Sequence, residues 1–449
     1  MVVSHLIQSL PDATIQSSAQ ARDTCGDNVK SDVVVVGAGL GGAAAAAVLS
    51  RAGCDVVVVD RHATYPADFR AEQLVGSQTD ALRRLGLLDG IVGQTTPMPS
   101  ATAACYGKVI DSTYSLHYGL RYEDMVNTTR SLAGGARFVT GRVAQVVAGS
   151  ETQKVFLADG TLIEARLVVL ATGPNCGDLF PSLGIERTML SEHHSLTLGF
   201  DVQTASRRIL VYYGERAGDR MDYLTVFPIG DTMRANLFCY VDPGDPWARS
   251  FKLNPKQALL DVMPSLERTI GPFEVVGKVQ VRPNSIQRAE NVRQQAGVVL
   301  IGDAFQSSCP AVGTGIGRIL ADVEALSRLV PSWLATPGMG ADKVERFYTD
   351  PAKCQFDVQA LRDTHYRRAL CTQTSWRWKA YRTQHYYRRR TLGIISRAIR
   401  RDMPLLNGAM VGSQHNQKTR KGRLFNSLAR SWGAAKRALM AALALLTFG

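Results

Sequence analysis

Residues 32–60 read DVVVVGAGLGGAAAAAVLSRAGCDVVVVD, and this stretch decides how the rest of the chain is read. Residues 33–36 are an apolar β-branched run, the pattern of a strand buried on both faces. The run passes straight into Gly37-Ala38-Gly39-Leu40-Gly41-Gly42, which fits G-x-G-x-x-G. In such a turn Gly37 allows the tight bend, Gly39 lets a pyrophosphate approach the backbone, and Gly42 lets the helix pack close to the strand. The small residues 43–49 predict a helix whose N-terminal amides and dipole face that pyrophosphate. A second buried run, 56–59, ends on Asp60, 18 positions after Gly42 and near the spacing of a ribose-binding carboxylate. A glycine pattern alone is weak. Set in strand, turn, helix, strand and terminal acid, it predicts a dinucleotide site. Residues 33–49 are also 17 uncharged positions in a row, but four glycines and six alanines make a poor membrane span.

The 449 residues allow two or three domains. The eight cysteines (Cys25, Cys54, Cys105, Cys176, Cys239, Cys309, Cys354 and Cys371) form no C-x-x-C and suggest no zinc site, so the reading is scattered thiols in a reducing, cytoplasmic setting. Residues 1–30 lack a basic start and a sustained apolar core, and read as a disordered leader. The formal charge of +13 is uneven: residues 361–449 hold 19 Lys and Arg against Asp363 and Asp402, leaving the remainder net acidic. An electrostatic partner is therefore expected at the C-terminal segment.

Along the chain, Pro66 marks a loop and residues 71–85 read as a helix, with Arg70 ahead of it either reaching a phosphate or solvated at the surface. Residues 94–118 suit a strand excursion, and 122–133 a helix led by Arg121. Strands are expected over 143–147, 154–157, 161–164 (after an Asp159-Gly160 turn) and 167–171. From His193 to Arg282 the texture changes to long alternating strands, interrupted by one helix at 255–263. A buried strand then ends on Gly302-Asp303, a helix is expected over 311–329, and the chain reads as helical and basic from about residue 341. The organisation expected is a leader (1–30), a Rossmann-like three-layer α/β domain in two parts (31–190 and 286–340), an inserted antiparallel β-sheet domain (191–285) and a basic helical C-terminal segment (341–449).

By strand direction, Gly302-Asp303 lies at the same sheet edge as the glycine turn. It is followed by AFQSSCPAVGTGIGRILADVEAL, in which Pro310, Gly313 and Gly315 make a loop that a flat ring could approach, ahead of a helix whose positive end would face it. The pairing of G-x-G-x-x-G with G-D-A…P-x-x-G-x-G resembles the FAD-dependent class A flavoprotein monooxygenases of the p-hydroxybenzoate hydroxylase-like fold and their geranylgeranyl reductase-like relatives, over about residues 32–330. The resemblance implies FAD as cofactor, its pyrophosphate on Gly37, Gly39 and Gly42. It implies Asp60 on the adenosine ribose with Arg61 beside it, Gly302-Asp303 on the ribityl or pyrophosphate part, Pro310, Gly313 and Gly315 by the ring, and Arg121 as a further contact.

It also implies NAD(P)H as reductant, or a separate reductase, and oxygen transfer through a flavin C4a-hydroperoxide to a small aromatic or lipophilic molecule held between the two domains. A reductase or dehydrogenase of C–C bonds and a non-catalytic flavoprotein scaffold are the alternatives. Two departures stand out. Thr172 and Gly173 occupy the place of the family's Asp-Gly pair, and Gly317 that of its asparagine, although Asp322 further along fits; both put direct NAD(P)H reduction in question.

Similarity to the family places Tyr223, Phe227 and Pro228 on the substrate side; an ordinary strand with an aromatic core face is the competing reading. His117, with Tyr114 and Tyr118, reads more as a surface group than as a catalytic base, and Cys309 as a small buried side chain. No metal-ligand spacing or nucleophilic triad is present in the local sequence, and no catalytic residue is assigned. The tail mixes Arg with aromatics over 381–401 and ends in a weakly apolar stretch, 438–446, too short to span a bilayer. With Trp432 it suits contact with an anionic membrane surface, against the plainer reading of a helix folded on the body. Nucleic acid is not expected, since no binding motif accompanies the basic residues.

Overall fold

The computed structural model describes residues 29–70, 72–174 and 178–401. Residues 1–28 of the expected leader, Cys25, Cys176, the stretch 438–446 and Trp432 lie outside the described residues, while Val29 and Lys30, expected in the leader, belong to a strand, Val29–Val36, because they pair with Ile163 and Glu164. The chain divides into two compact units: Met1–Pro97, His117–Thr197 and Gln280–Arg367 form the first; Met98–Leu116, Leu198–Val279 and Arg368–Gly449 the second.

The first unit is built on a sheet in the order Arg137–Thr140, Val56–Asp60, Val29–Val36, Leu162–Leu170, Gln153–Leu157, Val143–Val147, with Val298–Leu300 also paired to Leu162–Leu170. Val29–Val36 pairs in parallel with Val56–Asp60 and Leu162–Leu170, and Val298–Leu300 continues the parallel set. Their β-branched and leucine runs are sealed from solvent on both faces, as parallel strands covered by helices require. The helices Leu40–Arg51 and Gly315–Leu334 contact each other as part of that cover. All these carboxyl ends lie at one edge, so Gly37, Asp60, Thr172 and Gly302 converge there. The fold is the mixed α/β architecture expected, with a parallel cofactor-type sheet, a second antiparallel-rich sheet and C-terminal helices.

Boundaries moved where side chains compete with pattern. The helix expected over 71–85 is Gly76–Arg84, because Gln73–Leu74 is drawn into a strand and the Gln78 carboxamide accepts the Val75 N–H, fixing the start. The excursion at 94–118 splits: Ala101–Cys105 and Lys108–Thr113 form a hairpin in the second unit. The helix expected over 311–329 is preceded by a single 3₁₀ turn, Pro310–Val312, and runs Gly315–Leu334.

The second unit's strands belong to a sheet with the order Phe273–Glu290, Glu186–Thr204, Thr232–Cys239, Met221–Ile229, Leu210–Tyr213, Ala101–Cys105, Lys108–Thr113. Leu210–Tyr213 pairs with Ala101–Cys105 in parallel, a non-local pairing no local pattern signals. Besides the helix Pro255–Val262, the unit holds Pro246–Leu253, started by the Asp245 carboxylate accepting the Trp247 N–H at 2.9 Å, and Glu267–Ile270. The helix Trp376–Arg401 lies against Lys108–Thr113, close enough that a Cβ on Gly393 would sit 2.2 Å from the Ile110 carbonyl oxygen.

Candidate cofactor site

The three glycines of the first turn serve different ends. A Cβ on Gly37, which has φ +94°, would stand 2.8 Å from the Ala171 carbonyl oxygen, and one on Gly42 would fall 1.8 Å from that of Gly37. Packing alone demands both. At Gly39 the nearest atom a Cβ would meet is a Tyr65 ring carbon at 3.9 Å, so no protein atom explains the missing side chain. That open flank borders a cavity of about 560 Å³, a size typical of ligand sites. The helix Leu40–Arg51 begins there with no side-chain cap and no acid in its first turn. Its N-terminal amides and dipole favour an anion there, with the Leu40 N–H already meeting the Tyr122 hydroxyl.

Asp60 ends its strand in the same cavity. Its Oδ2 accepts the Ala38 N–H at 2.6 Å and its Oδ1 the His62 N–H at 2.8 Å. Arg130 pairs with Oδ1 at 3.3 Å, donates from Nε to the Ala38 carbonyl at 2.7 Å and from Nη1 to the carbonyls of His62 and Ala63, and stacks over Tyr65. This buried arginine ties the glycine turn to the strand after it. Nothing local in the sequence marked it. A carboxylate offers about four acceptor positions, so Asp60 keeps capacity for a ligand hydroxyl. Arg61 and His62 line the cavity beside it.

At the other end of the cavity stands Gly302-Asp303. Asp322 Oδ2 accepts the Gly302 N–H at 2.7 Å and its Oδ1 meets Lys353 Nζ at 3.0 Å. Lys353 also reaches Asp357 at 2.8 Å, and Arg318 joins Asp357 at 2.9 Å and the Gln306 carbonyl at 2.6 Å. Burial pushes the Asp322 carboxyl up, and Lys353 opposes it. Two carboxylates and two cations, Asp322, Lys353 and Arg318 fully buried and Asp357 nearly so, thus hold the turn from beneath. Sequence reading noted Asp322 and missed Lys353, whose partners lie 31 positions earlier and four later in the chain.

Asp303 faces a second, open cluster. Arg70 Nη1 lies 3.8 Å from Asp303, while Arg70 Nε donates to Asp68 at 2.6 Å. Asp68 also accepts from the Tyr65 hydroxyl at 2.8 Å and from Arg282 at 2.9 Å. Burial works to raise Asp68, but Arg70, the Tyr65 hydroxyl and Arg282 outweigh it and hold the carboxyl below the usual range. Burial pushes the Tyr122 phenol, under Arg70, up to about 12, so it stays protonated at neutral pH. Arg70, Asp68, Arg282, Tyr65 and Tyr122 all line the cavity. Between these ends sits Thr172, whose buried Oγ1 has no hydrogen-bond partner among the described residues. A cleft with a helix N-terminus, a strand-end carboxylate with acceptor capacity to spare and a hydroxyl without a partner among the described residues fits an extended dinucleotide.

The remaining expected residues fall as follows. Arg121 is the N-cap of the helix Tyr122–Ser131, half-buried and outside the cavity lining, where its neighbour Tyr122 takes the place. Pro310, Gly313 and Gly315 also lie outside the lining. They form the turn that starts the helix Gly315–Leu334, with the Gln78 carboxamide donating to the Gly313 carbonyl at 3.0 Å and the N-cap Thr314 Oγ1 buried without a partner among the described residues. His117 pairs with Gln73 at 3.3 Å, and burial lowers its pKa. Cys309 is fully buried. In the second unit Phe227 is fully buried in a cluster with Met98, Ala101 and Ile209, Pro228 is buried beside it in the strand, and half-buried Tyr223 packs on Phe238 and Tyr213. Among the described residues there is no cluster of metal-ligating side chains, and no helix is long and apolar enough to cross a membrane. Their cysteines are free thiols, and burial pushes Cys105 and Cys239 up to about 12.

Comparison with known proteins agrees with this geometry. A family model described as "FAD binding domain" matches residues 30–334. Among curated proteins, 6-hydroxynicotinate 3-monooxygenase of Bordetella bronchiseptica is 24% identical over 67% of this chain and 82% of its own length. Squalene epoxidase of Schizosaccharomyces pombe is 23% identical over 67% and 69%, and menaquinone reductase of Mycobacterium tuberculosis is 32% identical over 32% and 38%. Among solved structures, p-nitrophenol 4-monooxygenase of Pseudomonas putida superposes with TM-score 0.66 at 17% identity, covering 85% of this chain and 99% of that one.

Proposed function

Because the chain belongs to the FAD binding domain family, a family of FAD-dependent oxidoreductases, we propose that it is a monooxygenase that hydroxylates or epoxidises an aromatic or lipophilic small molecule. The observation that carries this reading is that the glycine turn, Asp60, Thr172 and Gly302-Asp303 line one cavity at the ends of parallel strands. FAD, when bound, supplies the redox and oxygen-transfer chemistry. The chain's residues bind and orient it. The amides after Gly39 take the pyrophosphate, with Gly37 and Gly42 shaping the turn. Asp60, held by Arg130, accepts from the adenosine ribose, with Arg61 alongside. Asp303 and the Thr172 hydroxyl hold the central, ribityl part. Arg70 exchanges its carboxylate partners for phosphate oxygen, and Arg121 adds charge at the start of its helix. Pro310, Gly313 and Gly315 place the N-terminus of the helix Gly315–Leu334 by the ring, where it favours negative charge. NAD(P)H is the reductant, and Tyr223, Phe227 and Pro228 belong to the strand that borders the substrate.

The substrate class is supported by the relatives' names, which span a hydroxylated nicotinate and squalene. A second reading, reduction or desaturation at a C–C bond, is favoured by neutral Thr172 at the place where the family resemblance implies a carboxylate, and by the likeness to a menaquinone reductase. One experiment separates them. The purified protein should show flavin absorption near about 370 and 450 nm, bleach with NADH or NADPH without oxygen, and regain colour in air with peroxide release. A bound flavin that neither nicotinamide reduces favours the second reading; absence of flavin after reconstitution with FAD overturns both.

A further inference from the structure

The helix Trp376–Arg401 contains no acidic residue. One side of it is used. Arg382 donates to the carbonyls of Leu370 and Gln373, Tyr386 packs edge-on against Tyr106, Arg389 lies over the Tyr213 ring and donates to its hydroxyl, and Gly393 is buried against Ile110. The positions 382, 386, 389 and 393 follow helical spacing, so they define one packed seam.

A second face, about a third of a turn from the seam, carries a pattern. Trp376, Arg377 and Lys379 recur three turns later as Tyr387, Arg388 and Arg390, an offset of 11 residues. At 3.6 residues per turn this offset returns to nearly the same direction, about 16 Å along the axis. Trp376, Tyr387 and Ile394 therefore form one apolar row, exposed at 74%, 58% and 50%. Arg377 and Arg388 flank it on one side, Lys379 and Arg390 on the other; all four are exposed.

We propose that this face lies on an anionic bilayer surface, with the Trp376–Tyr387–Ile394 row at the level of the headgroups and the two cation rows on lipid phosphates. Rings with an apolar body and a polar tip suit that depth, and long basic side chains reach outward from it to phosphate. The charge complementarity is one-sided. The chain's own residues 402–449, the other occupant available, carry seven Lys and Arg against Asp402, so they would be repelled by the cation rows. Two cation rows around a row that includes an isoleucine fit a lipid interface better than a continuous basic face for nucleic acid would. The inference stands apart from the enzymatic reading and does not depend on FAD.

The test is co-sedimentation of the full chain with vesicles of phosphatidylcholine alone or with about one-third phosphatidylglycerol. Binding only to the anionic vesicles, weakening with salt, is expected. The quadruple variant Arg377→Glu, Lys379→Glu, Arg388→Glu, Arg390→Glu should lower that partition about 100-fold. Trp376→Ser with Tyr387→Ser and Ile394→Ser should lower it about tenfold. Circular dichroism and FAD binding should not change, because every substituted side chain is exposed. A tail variant, Lys418→Glu, Arg420→Glu, Lys421→Glu and Arg423→Glu, is the control. Loss of binding with the tail variant and not with the helix variants would overturn the proposal. So would absence of vesicle binding, or vesicle-independent binding to duplex DNA that the helix variants remove.

Discussion

Two clusters of charge meet at consecutive residues of one turn, and they are built for different ends. Beneath Gly302, Asp322, Lys353, Asp357 and Arg318 are between 1% and 13% exposed, and each charge has a partner of opposite sign. Around Asp303, the side chains of Asp68, Arg70, Arg282 and Asp303 are 25–33% exposed and face the cavity. In the sealed cluster, ligand atoms cannot compete for partners. In the open one Arg70 holds Asp303 at only 3.8 Å, a contact that an incoming phosphate can outcompete. The first cluster should therefore set shape and the second affinity, and substitutions can break that division.

Lys353→Met should have the largest effect. It leaves Asp322 and Asp357 buried with Arg318 alone, which costs about 3–5 kcal/mol when one member of a buried pair is removed. Urea unfolding reads it; an unchanged midpoint would show the sealed cluster carries no shape. Next comes the contrast within the glycine turn. Gly42→Ala forces its Cβ onto a backbone oxygen at 1.8 Å, and should cost about 3 kcal/mol through displacement of helix from strand. Gly39→Ala meets no protein atom closer than 3.9 Å, so stability should hold while FAD affinity falls about 100-fold, or about 2.7 kcal/mol, by quenching of flavin fluorescence. Equal behaviour of the two variants would remove the separation of packing glycine from binding glycine. Arg70→Ala should weaken FAD about tenfold, about 1.4 kcal/mol, and shift the unfolding midpoint little, since its partners keep water.

The contrast also explains what could be read from sequence. Gly37, Gly39, Gly42 and Asp60 were legible because a tight turn, a close approach and a strand-end acid are local backbone requirements. The two-sided strands were legible for the same reason: burial on both faces leaves only apolar residues from Val33 to Val36 and from Val56 to Val59. Arg130 and Lys353 were not legible. Each reaches through a long side chain to a group brought near only by folding, Arg130 to Ala38 92 positions away and Lys353 to Asp322 31 positions earlier, and the Lys353–Asp357 pair on one helix does not by itself signal burial. Arg282 meets Asp68 across 214 positions. The aromatic stretch at Tyr223 illustrates the limit from the other direction: its pattern states burial, and Phe227 is buried, but a strand pattern does not state which face adjoins a ligand.

The smallest expected effect sharpens the open cluster. Arg70, the Tyr65 hydroxyl and Arg282 hold the folded-state pKa of Asp68 below its unfolded value, despite burial. A depressed carboxyl contributes stability that is complete above the unfolded pKa, about 3.9, and is lost as pH falls through the folded value. Because Asp68 is a quarter exposed, solvent screening limits that contribution to about 1 kcal/mol or less. Asp68→Asn should therefore be slightly less stable than the parent, by a constant amount between roughly pH 5 and pH 8, above both pKa values, and the gap should close below about pH 4. In the same variant Arg70 and Arg282 lose their common counter-charge, so affinity for an anionic ligand should rise about two- to threefold. Thermal unfolding across pH and FAD titration at neutral pH measure the two effects. A gap that widens in acid, or affinity that falls, would mean that Asp68 orders the arginines for binding and does not merely neutralise them.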